Sequence, residues 1–276
     1  MPVNTRSLAV AAALLALSAA PAAAQADTAA VAPLQDNSFL VEEAYNQEAG
    51  VVQHINTFGR DRGGDWEYTF TQEWPLRGMR HQLSYTLPLA HAGGETGLGD
   101  VMVHYRQQWA GVGGGPLAIT PRLSAVLPTG SVEKGMGVGG FGIEGALPVS
   151  VELVRGQLVA HTNAGVTYVP RAQDAVGNRE ATTSVFLAQS AVWLVRPMFN
   201  VLVEAVWTRN EFVAGANQTE TAESAVISPG VRFGLNLPGE LQVVPGIAVP
   251  IGVGPSSGER ALFLYLSLEH PFTKRR

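Results

Sequence analysis

Residues 261–272 read Ala-Leu-Phe-Leu-Tyr-Leu-Ser-Leu-Glu-His-Pro-Phe, and this stretch decides the fold class. Because side chains alternate between the two faces of a β-strand, one face would carry a row of leucines. The other face would carry Phe263, Tyr265, Ser267 and Glu269. An apolar face opposite a face that ends in Ser and Glu is typical of a strand between lipid and a wet lumen. The alternative is an ordinary core strand near a C-terminus.

The composition favours a β-rich protein and excludes several kinds of site. The chain has 276 residues, with 31 Gly, 17 Pro and only 15% charged residues, which suits a fold with many turns. Its net charge of -5 offers no basic patch, so we expect no nucleic-acid partner. Without cysteine there can be no disulfide, thiolate zinc site or Cys nucleophile. The 6 His show no paired metal spacing, and we expect neither a metal nor a cofactor.

The N-terminus has the pattern of a cleaved secretory signal peptide, residues 1–26. Arg6 supplies the positive charge, residues 8–20 are apolar, and small residues around Ala24 and Ala26 offer a cleavage site. No later stretch has 18 consecutive apolar residues, so a membrane protein with this sequence would have to be a barrel.

Residues 27–49 form the next unit, an N-terminal segment before the barrel. Asn37 or Ser38 can cap a helix, and Leu40, Val41, Ala44 and Tyr45 would share one helical face. We therefore predict a short amphipathic helix over residues 39–46. It could plug a lumen or lie at a periplasmic rim, and the pattern does not choose between them.

Residues 50–276 predict a transmembrane antiparallel β-barrel of about twelve strands, with all-β architecture. Strand patterns recur with turn residues between them, and an even number is typical of single-chain bacterial barrels. Prolines 121, 148, 229 and 245 fall inside the proposed strands, where each removes a ladder hydrogen bond. Phe272 resembles the C-terminal aromatic signal of such barrels, so we expect the barrel-assembly machinery to recognise the last strand.

The predicted connections alternate in length along the chain. Every second connection is short or Gly-rich, such as residues 75–78 and 196–197. Most of the others are longer and more polar, namely residues 90–97, 128–139, 169–182, 209–222 and 252–259. Short turns at one end and long loops at the other are typical of outer-membrane barrels.

The chain also resembles a known family. The resemblance rests on Asn-Ser-Phe-Leu-Val-Glu-Glu-Ala-Tyr-Asn-Gln-Glu at 37–48, Gly-Val-Val-Gln-His-Ile at 50–55, Leu-Gly-Asp at 98–100 and Pro-Arg-Leu-Ser at 121–124. The chain is similar over residues 37–272 to outer-membrane barrels assigned to the meta-pathway of phenol degradation, often called transporters. The resemblance implies an outer-membrane barrel that takes up aromatic or other small hydrophobic compounds, and it brings no catalytic residues.

Strand phase predicts a set of charged residues and histidines that face the lumen. A lumen holds water, whereas Arg or Lys facing lipid at mid-depth costs roughly 2–4 kcal/mol. Such residues could form a polar eyelet that sets selectivity, or a salt-bridged core that closes the barrel. They are Glu67, Glu73, His104, Arg106, Arg122, Glu144, His161, Glu204, Arg232 and Glu269.

We therefore expect an outer-membrane channel for small molecules, with membrane lipid and a small-molecule substrate as partners, and not an enzyme. One alternative is an outer-membrane lipid-modifying enzyme, which needs a Ser–His pair facing lipid. Ser84, Ser124, His104 and His161 are present, but no Gly-x-Ser-x-Gly motif joins them. The other alternative is a soluble periplasmic β-sandwich with two stacked sheets.

Overall fold

The computed structural model describes residues 38–272, and their strands form one antiparallel sheet that closes on itself. Within these residues the barrel has twelve strands, four of which are briefly interrupted, and this confirms the predicted fold class. They are β1 (Val51–Asp61), β2 (Trp66–Leu76), β3 (His81–Ala92), β4 (Glu95–Leu98 and Val101–Gln107), β5 (Leu117–Ile119 and Arg122–Leu127), β6 (Gly142–Val154), β7 (Leu158–Gln173), β8 (Arg179–Arg196), β9 (Phe199–Gly215), β10 (Gln218–Phe233 and Leu235–Leu237), β11 (Leu241–Ala248 and Ile251–Gly252) and β12 (Ala261–Pro271). Two short 3₁₀ turns, Val132–Lys134 and Gly254–Ser256, lie in the connections.

The barrel closes through its last strand. β12 pairs with β1 along its whole length, from Pro271 opposite Val51 to Ala261 opposite Asp61. On its other side β12 pairs with β11, which in turn pairs with β10. Every barrel strand in residues 38–272 therefore has two neighbours, so the described sheet leaves no open edge for aggregation. This arrangement is one closed sheet and not the two stacked sheets of a β-sandwich.

The two faces of β12 separate as its sequence predicts. Leu262, Leu264 and Leu266 point outward and are 44%, 40% and 38% exposed. Tyr265 and Ser267 point inward and are 5% and 1% exposed. The outer surface as a whole is apolar, and the inner surface carries most of the buried polar side chains. This is the polarity of a barrel that spans a membrane and the reverse of that in a soluble barrel.

Prolines interrupt two strands and are tolerated within others. Pro121 and Pro250 lie at the breaks of β5 and β11, because proline has no N–H to contribute to the ladder. Pro148, Pro229 and Pro245 lie within β6, β10 and β11.

Three of the five predicted long loops are wrong, at residues 90–97, 169–182 and 209–222, whereas residues 128–139 and 253–259 lie in connections as predicted. Residues 169–173 and 179–182 extend β7 and β8, and residues 209–215 and 218–222 extend β9 and β10, so only short turns remain between them. These strands reach 16 to 18 residues and project beyond their neighbours as two tall hairpins. The polar sequences of these stretches suggested loops, but a hairpin outside the membrane band exposes both faces to water. The asymmetry of the barrel therefore lies in hairpin height more than in loop length.

The predicted helix over residues 39–46 is wrong. Residues 38–50, called here the lumenal segment, contain bends and irregular backbone. They lie inside the barrel, where side chains of the wall accept hydrogen bonds from their backbone N–H groups, as described below. A helix over residues 39–46 would have bonded the Ala44 N–H internally, whereas here Ser150 of the wall accepts it. The predicted signal peptide (residues 1–26), residues 27–37 and residues 273–276 lie outside the described residues.

No helix among residues 38–272 is long and apolar enough to cross a membrane.

Candidate functional site

All ten sequence-predicted lumen residues lie on the inner face of the wall, but in two groups. Six line a cavity between the lumenal segment and strands β1–β6: Glu67, Glu73, His104, Arg106, Arg122 and Glu144. The other four, His161, Glu204, Arg232 and Glu269, lie outside the cavity lining, and three of them are at least 99% buried: His161, Glu204 and Arg232. The division into two groups depends on the path of the lumenal segment, and a role of either group in selectivity stays a prediction.

The cavity has a volume of about 440 Å³, which is the size of a small-molecule site. The lining is mixed. Its apolar members are Phe39, Leu40, Val41, Ile55, Met102, Phe263 and Tyr265. Its charged members are five glutamates and two arginines: Glu42, Glu43, Glu67, Glu73, Glu144, Arg106 and Arg122.

Arg122 joins the lumenal segment to the wall of the cavity. Its Nη1 donates to Glu42 of the segment, and its Nη2 lies 2.6 Å from Glu144 Oε1 on β6. The second oxygen of Glu144 accepts a hydrogen bond from Thr167 on β7 at 2.8 Å. Two carboxylates share one guanidinium here, which lowers the cost of burying all three charges.

Arg106 holds the next part of the segment through backbone atoms. Its Nη2 donates to the carbonyl oxygen of Glu43 and, at 3.4 Å, to that of Tyr45. Thr120 of β5 donates to the carbonyl oxygen of Ala44. The wall therefore supplies donors where the segment presents carbonyl groups.

Glu204 of β9 holds the start of the lumenal segment. One oxygen, Oε1, accepts the backbone N–H groups of Phe39, Leu40 and Val41 at 2.9, 2.7 and 3.1 Å. Hydrogen bonds to a charged acceptor are among the stronger ones in proteins. Ser38 adds a contact of 2.6 Å between its Oγ and that of Ser190 on β8.

The rest of the segment follows the inner wall from β7 back to β3. Asn163 bonds both backbone groups of Glu42, accepting its N–H at 2.7 Å and donating to its carbonyl at 2.8 Å. Ser150 accepts the N–H of Ala44 at 2.7 Å, and Gln82 accepts that of Gln47 at 2.6 Å. Residues 44–50 do not line the cavity, and the residues that hold them lie towards the short-turn ends of their strands. Residues 38–43 line the cavity, and residues 44–50 lie between it and the short-turn end of the barrel.

Phe39 packs into a pocket between aromatic side chains, where two glycines without side chains leave room for its ring. Its ring centroid lies 5.0 Å from that of Tyr265 and 6.0 Å from that of Phe263. A Cβ at Gly246 would overlap the Phe39 ring, and one at Gly230 would lie 2.8 Å from it. These two glycines on β10 and β11 make room for the ring.

Two Ser–His pairs occur in the wall, and both face inward. Ser124 Oγ lies 2.8 Å from His104 Nδ1, and Ser150 Oγ lies 2.7 Å from His161 Nδ1. His104 also contacts Thr86 at 3.1 Å, and Ser150 is occupied by the segment. Residues 38–272 contain no cluster of His, Asp and Glu that could hold a metal ion.

Sequence reasoning missed the neutral polar residues that hold the segment: Gln82, Gln108, Thr120, Ser150, Asn163 and Ser190. Two of them, Ser150 and Asn163, share the inward phase of Glu144 and His161 on their strands, so phase could have selected them. Only the fold shows that they hold another part of the chain.

Comparison with solved structures identifies the fold. The NanC porin superposes with a TM-score of 0.54 at 10% identity, over 78% of this chain and 98% of that chain. An outer-membrane channel of Pseudomonas putida F1 superposes with a TM-score of 0.58 at 10% identity, over 82% of this chain and 97% of that chain. No family model and no curated protein matches the chain, so these comparisons give the resemblance to the phenol-degradation family no support. At such low identity the likeness shows the fold, which is that of outer-membrane barrels.

Proposed function

We propose that this protein is an outer-membrane channel for small molecules, gated by its lumenal segment. The observation that carries the proposal is the cavity of about 440 Å³ inside a closed barrel, with residues 38–43 of the lumenal segment in its lining. A salt-bridged barrel without transport would have no need of an amphipathic cavity next to a chain segment held by hydrogen bonds.

Three features support the outer-membrane location. The barrel has an apolar outer surface, and β1, β2 and β12 each have 11 residues, enough to cross a hydrocarbon core when tilted. The predicted signal peptide would export the chain, and the solved structures with this fold are outer-membrane channels and porins. We further propose that the barrel-assembly machinery recognises β12, the strand that closes the barrel against β1.

The gate would work by exchange of hydrogen bonds. The wall holds the segment through side chains, and water that enters the lumen can replace those partners one at a time. A hydrophobic cluster packs Phe39 and Leu40, at the start of the segment, against the wall. A partial shift of residues 44–50 would open a path from the cavity to the short-turn end of the barrel.

The substrate class that best fits the cavity is a small aromatic or hydrophobic compound with a polar end. Phe39, Phe263 and Tyr265 supply aromatic surface, and charged groups of both signs line the same cavity. The resemblance to the phenol-degradation family points to the same class.

A lipid-modifying enzyme is the second candidate, and the geometry favours it less. Both Ser–His pairs face the lumen and not the lipid, and Ser124 is only 1% exposed. A phospholipid ester in the outer leaflet would not reach either serine.

The test is transport by the purified chain in lipid bilayers and liposomes. We expect ion conductance that fluctuates between levels, and faster uptake of a small aromatic solute such as phenol than of a sugar of similar size. A folded, inserted barrel that gives neither conductance nor uptake would overturn the proposal. Release of fatty acid from phospholipid by the same preparation would favour the enzyme.

A further inference from the structure

The outer face of β1–β3 differs from the rest of the outer surface. Ile55, Thr57, Thr71, Glu73, Ser84 and Thr86 line the cavity, so the residues between them point outward. The outward set contains Asn56, Gln72, Tyr68, Tyr85 and Phe70. Elsewhere the outward residues are mostly aliphatic, for example Ile143, Leu147, Val203, Ile227 and Ile247.

Two side-chain amides lie within this aromatic surface. Tyr68 donates to Asn56 Oδ1 at 2.7 Å, and Tyr85 donates to Gln72 Oε1 at 2.8 Å. Asn56 Nδ2 reaches the carbonyl oxygen of Leu266 only at a long 3.4 Å. For the Gln72 amide nitrogen the structure shows no acceptor among residues 38–272. The amide oxygens are thus engaged, while the amide nitrogens have one long hydrogen bond, from Asn56 to Leu266, between them.

These amides lie at the depth where the membrane offers the fewest hydrogen-bond partners. Asn56 is the midpoint of the 11-residue strand Val51–Asp61, and Gln72 lies near the middle of β2. If the barrel spans the membrane as proposed, both side chains face hydrocarbon. Neither water nor lipid headgroups reach that depth, so free N–H groups there are costly. A protein surface with polar groups at the same depth would remove this cost.

We propose that the outer face of β1–β3 is a contact surface for a second copy of this chain. Primary amides are self-complementary, since each carries two N–H donors and an oxygen that can accept a second hydrogen bond. A two-fold axis parallel to the membrane normal would bring the surface with Asn56 and Gln72 of one copy against the same surface of the other. The surrounding Phe70, Tyr68 and Tyr85 have the aromatic composition of protein interfaces. The proposal rests on the membrane placement and not on transport.

The experiment uses a reporter cysteine, because the natural chain has none. Phe70 is directly opposite Asn56 in the register of β1 and β2 and makes no amide hydrogen bond. The full chain with Phe70→Cys, purified and inserted into lipid vesicles at high lipid excess, should form a disulfide dimer on mild oxidation. Leu147→Cys on β6, also outward and 43% exposed, is the matched control and should not.

A second pair of variants tests the chemistry. Adding Asn56→Leu and Gln72→Leu to Phe70→Cys should raise the dissociation constant of the dimer by at least about tenfold, because both copies lose their amide bonds. Thr162→Val with Gln189→Leu removes another outward polar pair, whose hydrogen bond of 2.6 Å lies within one barrel, and should leave the dimer unchanged.

The outcomes separate this inference from the proposed function. Heat-modifiable migration on a gel shows for every variant that the barrel is folded and inserted. With that control satisfied, a Phe70→Cys protein that stays monomeric would overturn the inference. Equal crosslinking at positions 70 and 147, or a dimer that survives the leucine substitutions, would overturn it as well.

Discussion

Glu204 Oε1 lies 2.7 Å from the backbone nitrogen of Leu40 and accepts its hydrogen bond. The contact joins the middle of the barrel wall to a residue 164 positions earlier in the chain. The same oxygen also accepts the N–H groups of Phe39 and Val41, so one carboxylate oxygen binds three consecutive residues of the lumenal segment. The conformation of the segment is therefore set by the wall, and the wall residues decide how easily the gate moves.

Glu204→Ala should release the start of the lumenal segment. Leaving buried N–H donors without an acceptor costs about 1–3 kcal/mol each, and lumen water recovers part of that. We expect longer and more frequent open states in single-channel recordings. Glu204→Gln keeps an acceptor oxygen and should lie between the natural chain and Glu204→Ala. Identical gating in all three would contradict the role of Glu204.

Gly246→Val should expel Phe39 from its pocket. A side chain at position 246 overlaps the Phe39 ring, and overpacking of this kind costs typically about 1–3 kcal/mol. We expect a more open channel, and the further substitution Phe39→Ala should relieve the overlap and lower the loss of stability measured by urea unfolding. Gly145→Val is the matched control, because a Cβ there meets no atom within 4 Å.

Arg122→Met should make the channel more selective for cations. Glu42 and Glu144 would lose their shared counter-charge and leave two carboxylates facing the cavity. Reversal potentials in a KCl gradient should show the K⁺ over Cl⁻ permeability ratio rising by about threefold or more, since one positive charge is removed from a poorly screened site. Arg209→Met removes an equal charge from an exposed outward position and should change little. An unchanged K⁺ over Cl⁻ permeability ratio in the Arg122 variant would show that ions do not pass Arg122, Glu42 and Glu144.

Leu266→Arg should impair membrane insertion. Leu266 points outward from the closing strand near its midpoint, where an arginine facing lipid costs about 2–4 kcal/mol. Thr69→Arg introduces the same side chain into the cavity wall and should cost much less. Unfolding by urea in lipid vesicles gives both free energies. Equal losses would contradict the assignment of the two faces.

The fold could be predicted from the sequence because the alternation of polar and apolar residues in a strand depends only on the residues of that strand. The alternation in β12 separates Leu264 from Tyr265, and the structure places them on opposite faces. The same phase placed Glu144 and Arg122 inside. The predictions failed where the conformation of a stretch depends on contacts with distant parts of the chain and not on its own sequence pattern. The stretch that extends β9 is polar enough to suggest a loop, and only pairing with β10 makes it a strand.

The lumenal segment shows the limit most clearly. Its residues have helical spacing of apolar side chains, and no local feature argues against a helix. Side chains far along the chain, such as Asn163 and Gln82, accept hydrogen bonds from its backbone N–H groups and stabilise the irregular conformation instead. These contacts depend on which residues the closed barrel brings together, and the spacing of apolar residues in the segment carries no information about them.

The most direct test of gating by the lumenal segment is to lock it in place. Ser38 and Ser190 have their hydroxyl oxygens 2.6 Å apart, so Ser38→Cys with Ser190→Cys should bring two thiols within disulfide reach in a chain without other cysteines. The segment would then be fixed at both ends, by the disulfide and by β1. We expect the conductance of the oxidised protein in planar bilayers to fall several-fold and to return on reduction, with no change for Ser38→Cys alone. Equal conductance before and after reduction would show that the segment is not the gate.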